Sequence, residues 1–273
     1  MPERRHGPPP LVHVAPRYLA GGPADFGPAT ALLVSDHGWT RVEHMNSVRQ
    51  ARSPCQRALV TERRRSDHHP LTIDVEAEDG RRWHAALTPR TPEEVTKTMT
   101  DALARALRED PDDALGPTGG PADLSRWTPA PGWSAVVHSS DAHVHRSPDG
   151  WAYFAARVAD SADTGDPRSD NPGYHLVAGP ALSPDRWSAT LSLGAPPALV
   201  ELLYAEVSHP SPARRSANHI PAHHLPYVTI RSIDQPSPIR TAALLRSIGH
   251  LSTATGPLRL PPEAARQRRA PQR

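Results

Sequence analysis

The sequence has little sulfur, few aromatic residues and no long apolar run. Its single cysteine, Cys55, excludes an internal disulfide bond and any zinc site built from several cysteines. Only 5% of the residues are aromatic, so a hydrophobic core must consist mainly of aliphatic side chains. No segment approaches the ~20 apolar residues that a transmembrane helix needs, and residues 1–10 are polar and proline-rich. We therefore expect a cytoplasmic protein that does not enter a membrane.

Lysine is nearly absent as well. Of the 31 basic residues only Lys97 is a lysine, a skew that is typical of a high-GC genome. The positive charge is local, because residues 256–273 contain five arginines and one acidic residue, Glu263. The rest of the chain has 26 basic and 28 acidic residues, so its composition does not favour a nucleic-acid-binding face. We expect residues 1–10 and the basic tail to be disordered, and any nucleic-acid association to be weak and to involve the tail.

The clearest pattern that is present lies in residues 82–103, with a weaker copy in residues 186–207. Each copy begins with Arg-Trp, continues as a strand and, after a turn, becomes a helix that begins at proline. Trp83, Ala85 and Leu87 occupy alternate positions, which is the period of a strand with one buried face. Residues 71–77 alternate in the same way, so the first copy is preceded by a second predicted strand.

These two strands predict a hairpin whose register follows from its buried face. A two-residue loop would place Glu76 opposite Trp83 and so mix charged and apolar side chains on one face. A three-residue loop that ends at a left-handed Gly80 instead places Val75 opposite Trp83 and Glu76 opposite Arg82. Because a shift of one residue inverts every side chain, we predict the three-residue loop.

Both copies also predict an amphipathic helix. In the first copy, Thr91 and Glu94 form a capping-box pattern, with Pro92 at the first helical position. The second helix is expected to begin at Pro196 or Pro197. The apolar stripes are Val95, Met99, Ala102, Leu103 and Ala106 in the first helix, and Leu199, Leu202, Leu203 and Val207 in the second.

An internal repeat extends beyond these units. Residues 38–63 align without a gap on residues 132–157 with nine identical pairs, where chance would give about two, which indicates a supersecondary unit used twice. The identical pairs are Gly38/Gly132, Trp39/Trp133, Val42/Val136, His44/His138, Arg52/Arg146, Ser53/Ser147, Pro54/Pro148, Ala58/Ala152 and Arg63/Arg157. Residues repeated in this way, the tryptophans above all, are interpreted as structural.

The patterns together predict an α+β fold of two similar modules, each a four-stranded antiparallel sheet with helices on one face. The first module is read as a helix over 28–37, four strands that include 39–45 and 58–63, and a final helix, whereas the second is expected to lack the leading helix. The expected organisation is residues 1–10 disordered, 11–107 module one, 108–122 a linker, 123–208 module two, 209–255 a C-terminal extension and 256–273 a disordered basic tail. Within the extension we expect a strand over 227–232 and a helix from Pro238 to about His250.

Several short motifs support a family resemblance. They are Val14-Ala15-Pro16-Arg17-Tyr18-Leu19-Ala20-Gly21-Gly22, the Gly-Trp pairs at 38–39 and 132–133, Ser147-Pro148-Asp149 and Arg186-Trp187-Ser188-Ala189. Together they resemble the tandem domain-of-unknown-function (DUF) 317 family of actinomycetes over roughly residues 12–207. The chain departs from the family pattern at Ser53-Pro54-Cys55, where aspartate is usual at the third position. The resemblance implies a fold unit and a bacterial group, and it carries over no activity and no site residue.

Sixteen histidines raise the question of a metal site. His219, His223 and His224 are close in sequence, but Pro221 prevents the helix that would bring an i, i+4 pair onto one face. His143 and His145 share a predicted strand face without an evident third ligand. We therefore assign no metal, cofactor-binding or catalytic residue.

Nucleophile and phosphate motifs give no assignment either. The sequence has no Gly-x-Ser-x-Gly elbow, no phosphate loop and no dinucleotide fingerprint. Cys55 falls in a predicted loop without an identified base. The run of arginines at 63–65 is interpreted as a solvated strand end, with contact to an acidic partner as the alternative.

Three functions remain open. The favoured one is a non-catalytic cytoplasmic binding or scaffold protein that engages a protein partner through its duplicated domain. The first alternative is an enzyme, or the remnant of one, with its site in the proline- and histidine-rich segment 208–232. The second is weak, nonspecific nucleic-acid association through the tail. A polar pocket with converging titratable groups would favour the enzyme, and an exposed apolar patch would favour the binding protein.

Overall fold

The computed structural model describes residues 9–21, 27–43, 48–63, 71–78, 80–111, 129–139, 142–157 and 173–233. The three helices are α1 Gly27–His37, α2 Glu93–Glu109 and α3 Pro197–Ser208. The strands are β1 Leu11–Ala15, β2 Thr40–Glu43, β3 Val48–Arg52, β4 Ala58–Arg63, β5 Leu71–Glu76, β6 Arg82–Leu87, β7 Ser134–Ser139, β8 Ala142–Arg146, β9 Ala152–Arg157, β10 Tyr174–Ala178, β11 Trp187–Leu191, β12 Ala213–Ser216 and β13 Thr229–Ser232. Short 3-10 helices cover Arg17–Leu19, Ala217–His219 and Ala222–Tyr227.

Ten of these strands form one antiparallel sheet in the order β2-β3-β4-β5-β6-β11-β10-β9-β8-β7. Strands β2 to β6 and strands β7 to β11 are each paired in chain order, and the two sets meet where β6 pairs with β11. Leu87 lies opposite Ala189 and Ala85 lies opposite Leu191 at this junction. The described residues belong to one compact unit that ends at Ile233.

The predicted fold class, α+β with two four-stranded modules, is therefore wrong. The protein is mostly β, with a ten-stranded sheet, a three-stranded sheet and few helices. One cause is β3, Val48–Arg52, whose sequence VRQAR has no apolar alternation and so does not predict a strand. The other is the edge of β6, whose unpaired backbone groups are satisfied by β11 rather than left open at the end of a separate sheet.

The β5–β6 hairpin has the predicted register. Val75 lies opposite Trp83, and Glu76 lies opposite Arg82. The backbone N–H of Ala77 donates to the carbonyl of Arg81, which leaves a three-residue loop, and Gly80 has the expected positive φ of 82°. The Arg82 guanidinium pairs with Glu76 at 2.7 Å on the solvent side of the strands. The requirement for one consistently apolar face was thus sufficient to place the turn.

The core lies on one side of the ten-stranded sheet and continues across both sets of strands. All three helices contribute to it, together with Leu19 from the N-terminal segment. The four paired tryptophans are buried as predicted: Trp39, Trp83, Trp133 and Trp187 are exposed by 3%, 2%, 8% and 1%. A single shared cluster explains why the two sets of strands do not form separate modules.

Local details of the helices differ from the prediction. α1 matches the expected helix over 28–37 and is followed by Gly38 with φ of 69°. α2 begins after Pro92, but the predicted capping box is wrong, because the Thr91 hydroxyl donates to the carbonyl of Thr88 at 2.9 Å. Glu94 pairs with Arg215 instead.

The α3 stripe is confirmed for most positions. Leu199, Leu203 and Val207 are buried, whereas Leu202 is 48% exposed and its predicted place in the stripe is wrong. In α2 the predicted Val95, Met99 and Leu103 are buried, and Ala102 and Ala106 pack partly against the core.

The second sheet joins the two ends of the described chain. β1 lies between β12 and β13, both antiparallel to it. The strand expected over 227–232 is confirmed as β13, preceded by a 3-10 turn. The indole N–H of Trp187 donates to the carbonyl of Tyr18 at 2.8 Å, which fixes the segment after β1 against the main core. The helix expected from Pro238, most of the linker, the leading segment of the second module and the basic tail lie outside the described residues.

Candidate functional site

The side of the ten-stranded sheet turned away from the core, called the outer face below, carries a continuous row of residues from every strand. The register of each pair connects the row without a break. In sheet order its members are Val42, Gln50, Thr61, Thr72, Ala86, Thr190, His175, Ala155, Val144 and Val136. Apart from the titratable His175, the row is uncharged, and most of its side chains are short.

The middle of this row is well shielded. Thr61, Thr72 and Ala86 are exposed by only 2%, 7% and 6%. The Gln50 side-chain amide donates to the Thr61 hydroxyl at 3.0 Å, which satisfies polar groups within the row. Burial lowers the pKa of His175, and the nearby positive charge of Arg186 lowers it further, so the imidazole is neutral at pH 7. The row is therefore uncharged near neutral pH.

Acidic groups on the outer face are matched by partners on the same face. Asp74 accepts from Nδ1 of His84 at 2.9 Å in the adjacent strand. Glu76 is paired with Arg82, as described above. These two are the acidic residues that the described strands place on this face.

Four arginines flank the uncharged row, two in each set of strands. They are Arg52 in β3, Arg63 in β4, Arg146 in β8 and Arg157 in β9. In the strand order, β3 is equivalent to β8 and β4 to β9. Arg52, Arg63 and Arg146 are exposed, whereas Arg157 is half-buried. Among the described residues, Arg52, Arg63 and Arg146 form no ion pair. With strands ~4.8 Å apart, Arg52 and Arg146 are separated by about 34 Å along the sheet and Arg63 and Arg157 by about 24 Å. The outer face thus has an uncharged row of side chains with arginines on both sides of it.

The internal repeat contains a signal for these arginines that a purely structural interpretation overlooks. Arg52/Arg146 and Arg63/Arg157 are identical pairs of the repeat. The structural interpretation of identical residues holds for the buried tryptophans. An exposed arginine contributes little to packing, so its recurrence at an exposed strand position fits a surface role better.

The histidines of segment 208–232 separate into different environments. His219 is exposed at the end of a 3-10 turn. Nδ1 of His223 lies 2.8 Å from the Asp185 carboxylate, which Arg90 also contacts at 3.3 Å. His224 is fully buried and hydrogen-bonds through Nδ1 to the Leu19 carbonyl at 2.9 Å. These three histidines therefore do not converge on one point.

His224 is held in a tightly packed position. Burial lowers its pKa despite the opposing effect of its hydrogen bond to Leu19, so the ring is neutral at pH 7. A Cβ on Gly179 would lie 3.0 Å from Nε2 of His224, and Gly179 has φ of 115°. This glycine therefore permits close contact between the β10–β11 connection and the C-terminal segment, which is a structural role.

The remaining candidates are also accounted for by packing. His143 and His145 share one face of β8, as predicted, and this is the core side. The His145 ring packs against the Tyr204 ring, with 5.2 Å between the ring centroids. Cys55 is half-buried in the β3–β4 turn, with its sulfur 3.3 Å from the Ser53 hydroxyl. Within the described part of the chain, no three His, Cys, Asp or Glu side chains are grouped as metal ligands. No helix of the described residues is both long and apolar enough to cross a membrane.

Comparison with known protein families, curated proteins and solved structures finds no match. The resemblance to the domain-of-unknown-function 317 family stays a prediction.

Proposed function

We propose that this chain is a non-catalytic cytoplasmic binding protein that uses the outer face of its ten-stranded sheet to engage an acidic surface of a protein partner. The observation that carries the proposal is the identical pair Arg52/Arg146, which is exposed in both sets of strands beside the uncharged row. Arginine is well suited to this role because its planar guanidinium binds carboxylates through paired hydrogen bonds.

A protein partner fits the spacing of the charges better than a nucleic acid. Duplex DNA carries one negative charge per ~1.7 Å of its axis, and its binding proteins place many cations along that line. Here four arginines extend over about 34 Å of the sheet, and Asp74 and Glu76 lie between the two flanks. Sparse positive charge around an uncharged row, with its acids paired on the same face, is complementary to a protein surface with scattered acidic groups.

The test compares two double variants of the full chain. Arg52→Gln with Arg146→Gln removes one exposed arginine from each flank, and Arg105→Gln with Arg214→Gln removes two exposed arginines from α2 and β12. Proteins cross-linked to the wild type in its native host are identified, and the affinity of a purified acidic candidate is then measured at physiological salt. We expect the outer-face variant to bind it at least tenfold more weakly and the control variant to bind it like the wild type.

Two results would overturn the proposal. One is equal loss of affinity in both double variants, which would show a dependence on net charge alone. The other is tighter binding of single- or double-stranded DNA than of any acidic protein at physiological salt, with loss in the outer-face variant. That second result would make the outer face a nucleic-acid site.

A second candidate function is catalysis in segment 208–232, and the pairing of His223 with Asp185 favours it. A carboxylate at Nδ1 orients an imidazole so that Nε2 can exchange protons, and the His223 side chain is 58% exposed. Hydrolysis of an activated ester should then slow in His223→Gln and stay unchanged in His219→Gln. Equal rates in the two variants would rule against a catalytic role for this pair.

A further inference from the structure

A cleft lies between α1 and strands β2 and β3, at one end of the ten-stranded sheet. Its volume is about 260 Å³. It is lined by Thr30, Ala31, Val34, Arg41, Arg49 and Gln50. We propose that this cleft binds the phosphate group of a small phosphate monoester, held by the guanidinium groups of Arg41 and Arg49.

The register of β2 and β3 brings the two arginines together. Arg41 lies opposite Ala51, and Arg49 is two residues before Ala51 on the same strand face. Diagonal neighbours of this kind are ~7–8 Å apart, which is within the reach of two arginine side chains toward one oxyanion. Ala51 is fully buried, so this strand face is the one covered by α1 and the core. Both guanidinium groups can therefore be directed into the cleft beneath the helix.

The inner wall of the cleft is fixed by a buried acid. The Glu62 carboxylate accepts from the backbone N–H of Thr30 at 3.1 Å and from its hydroxyl at 2.7 Å. Glu62 is only 3% exposed, so it is committed to the first turn of α1 and stabilises the positive end of that helix. The register also places Glu43 of β2 and Glu62 of β4 on either side of Arg49, so the acids and arginines of the site are equal in number.

The arginines of the cleft, unlike those of the outer face, occur in one half of the molecule. The positions equivalent to Arg41 and Arg49 in the repeat are Ala135 and His143. The fold of β7 and β8 forms without this pair, so the β2–β3 hairpin does not require it. Among the described residues, neither arginine forms an ion pair that would explain its presence.

The chemistry of the lining selects the ligand class. Two guanidinium groups present several N–H donors in fixed planes, which suits the three terminal oxygens of a phosphate monoester. Ala31 and Val34 offer apolar contact to the carbon part of the ligand. The volume is just below the ~300 Å³ at which pockets for drug-sized ligands begin, so the organic group must be small.

The experiment titrates the full chain with phenyl phosphate and follows the ¹⁵N–¹H NMR signals. The variants are Arg41→Gln and Arg49→Gln, and the control is Arg214→Gln, which removes an exposed arginine from β12 of the other sheet. We expect saturable shifts for the wild type and the control, and at least tenfold weaker binding for each cleft variant. Arg49→Lys should lie between the wild type and Arg49→Gln, because lysine keeps the charge and loses the planar fork.

Three results would overturn the assignment. They are the absence of saturable binding in the wild type, an affinity for benzoate or succinate equal to that for phenyl phosphate, and loss of binding in the Arg214→Gln control. Unfolding midpoints of all variants show whether each is folded, and Arg49→Lys provides a second folded variant if Arg49→Gln is not. The result is independent of partner binding by the outer face, since a failure of either site leaves the other prediction in place.

Discussion

Leu202 and Leu203 are neighbours in α3 with opposite environments. Leu203 is fully buried, whereas Leu202 is 48% exposed. Helical periodicity admits both to one apolar stripe, because a stripe wide enough for a core-facing helix includes adjacent positions at its edge. Which of two adjacent leucines faces the core depends on the packing angle between α3 and α2. The sequence of one helix does not determine that angle.

This difference gives a matched pair of substitutions. Leu203→Ala should lower the free energy of unfolding by about 2–5 kcal/mol through loss of buried methyl groups and formation of a cavity. Leu202→Ala should change it by less than about 0.5–1 kcal/mol, because the lost side chain is half solvated. Urea denaturation of both variants provides the comparison, and equal losses would contradict the orientation of α3.

The ion pair of Glu94 and Arg215 could not be predicted from the sequence. The two residues are 121 positions apart, and Glu94 has an adequate local explanation as part of a capping box. Burial alone would raise the pKa of Glu94, but the hydrogen bonds and charge of Arg215 outweigh it and lower the pKa below the usual range. The carboxylate is therefore more stable in the folded chain than in the unfolded one.

A pH dependence follows from this pair. Because the folded pKa is depressed, the stabilisation is complete above the unfolded glutamate value of ~4.3 and is lost as pH falls through the lower folded value. The wild type should exceed Glu94→Gln in unfolding free energy at pH 7, and the difference should shrink below about pH 4. Glu93→Gln removes a charge from an exposed neighbouring position as the control. A difference that stays constant from pH 7 to pH 3 would show that the pair does not contribute in this way.

At the scale of elements, the sequence was most informative where a buried face restricted the register. The β5–β6 hairpin could be predicted to the residue because only one loop length separates its apolar and charged side chains. β3 could not, because it lies next to the edge strand β2 and contributes only Ala51 to the core. A strand with so few buried positions has no period-two hydrophobic pattern to detect.

The hairpin turn provides a prediction for one element. Gly80 has φ of 82°, and no neighbouring atom lies within 4 Å of the place that a Cβ would take, so substitution would meet conformational strain without a steric clash. Gly80→Ala should therefore cost about 1–2 kcal/mol, and Gly80→Asn should cost less, because asparagine tolerates the left-handed region. Thermal unfolding of both variants measures the difference, and a neutral Gly80→Ala would contradict the three-residue loop.

At the scale of the whole molecule, the charge distribution separates the tail from the remainder of the chain. Residues 256–273 carry five arginines and one acid, and they lie outside the described residues. A chain that ends at Thr255 should lose any weak DNA affinity at low salt, with a salt slope set by at most about five phosphate contacts. Titration of both chains at low and physiological salt tests this, and sequence-specific binding by the shorter chain would contradict it.

The way in which the two repeated stretches join could not be predicted from the repeat pattern. The alignment of 38–63 on 132–157 identifies two similar stretches, but it does not show how they combine. In the structure, β6 pairs with β11, and Thr88 and Ser188 exchange hydrogen bonds across the junction, with Ser188 N–H to the Thr88 hydroxyl at 2.7 Å. Pairing of the β6 and β11 edges satisfies two rows of otherwise unpaired backbone N–H and C=O groups. This stabilisation is present only when both sets of strands are folded.

One sheet with one core predicts that the halves do not fold separately. A fragment of residues 9–111 would expose the β6 edge and lose the Trp187 hydrogen bond to Tyr18 and the Arg215 pair to Glu94. We expect this fragment alone to lack a cooperative unfolding transition as a monomer, and to regain one when mixed with residues 129–233. A fragment of residues 9–233 is the control and should unfold cooperatively, because it contains both sheets and the shared core. If residues 9–111 unfold cooperatively as a monomer, the β6–β11 junction is an interface between two independent modules rather than the centre of a single folding unit.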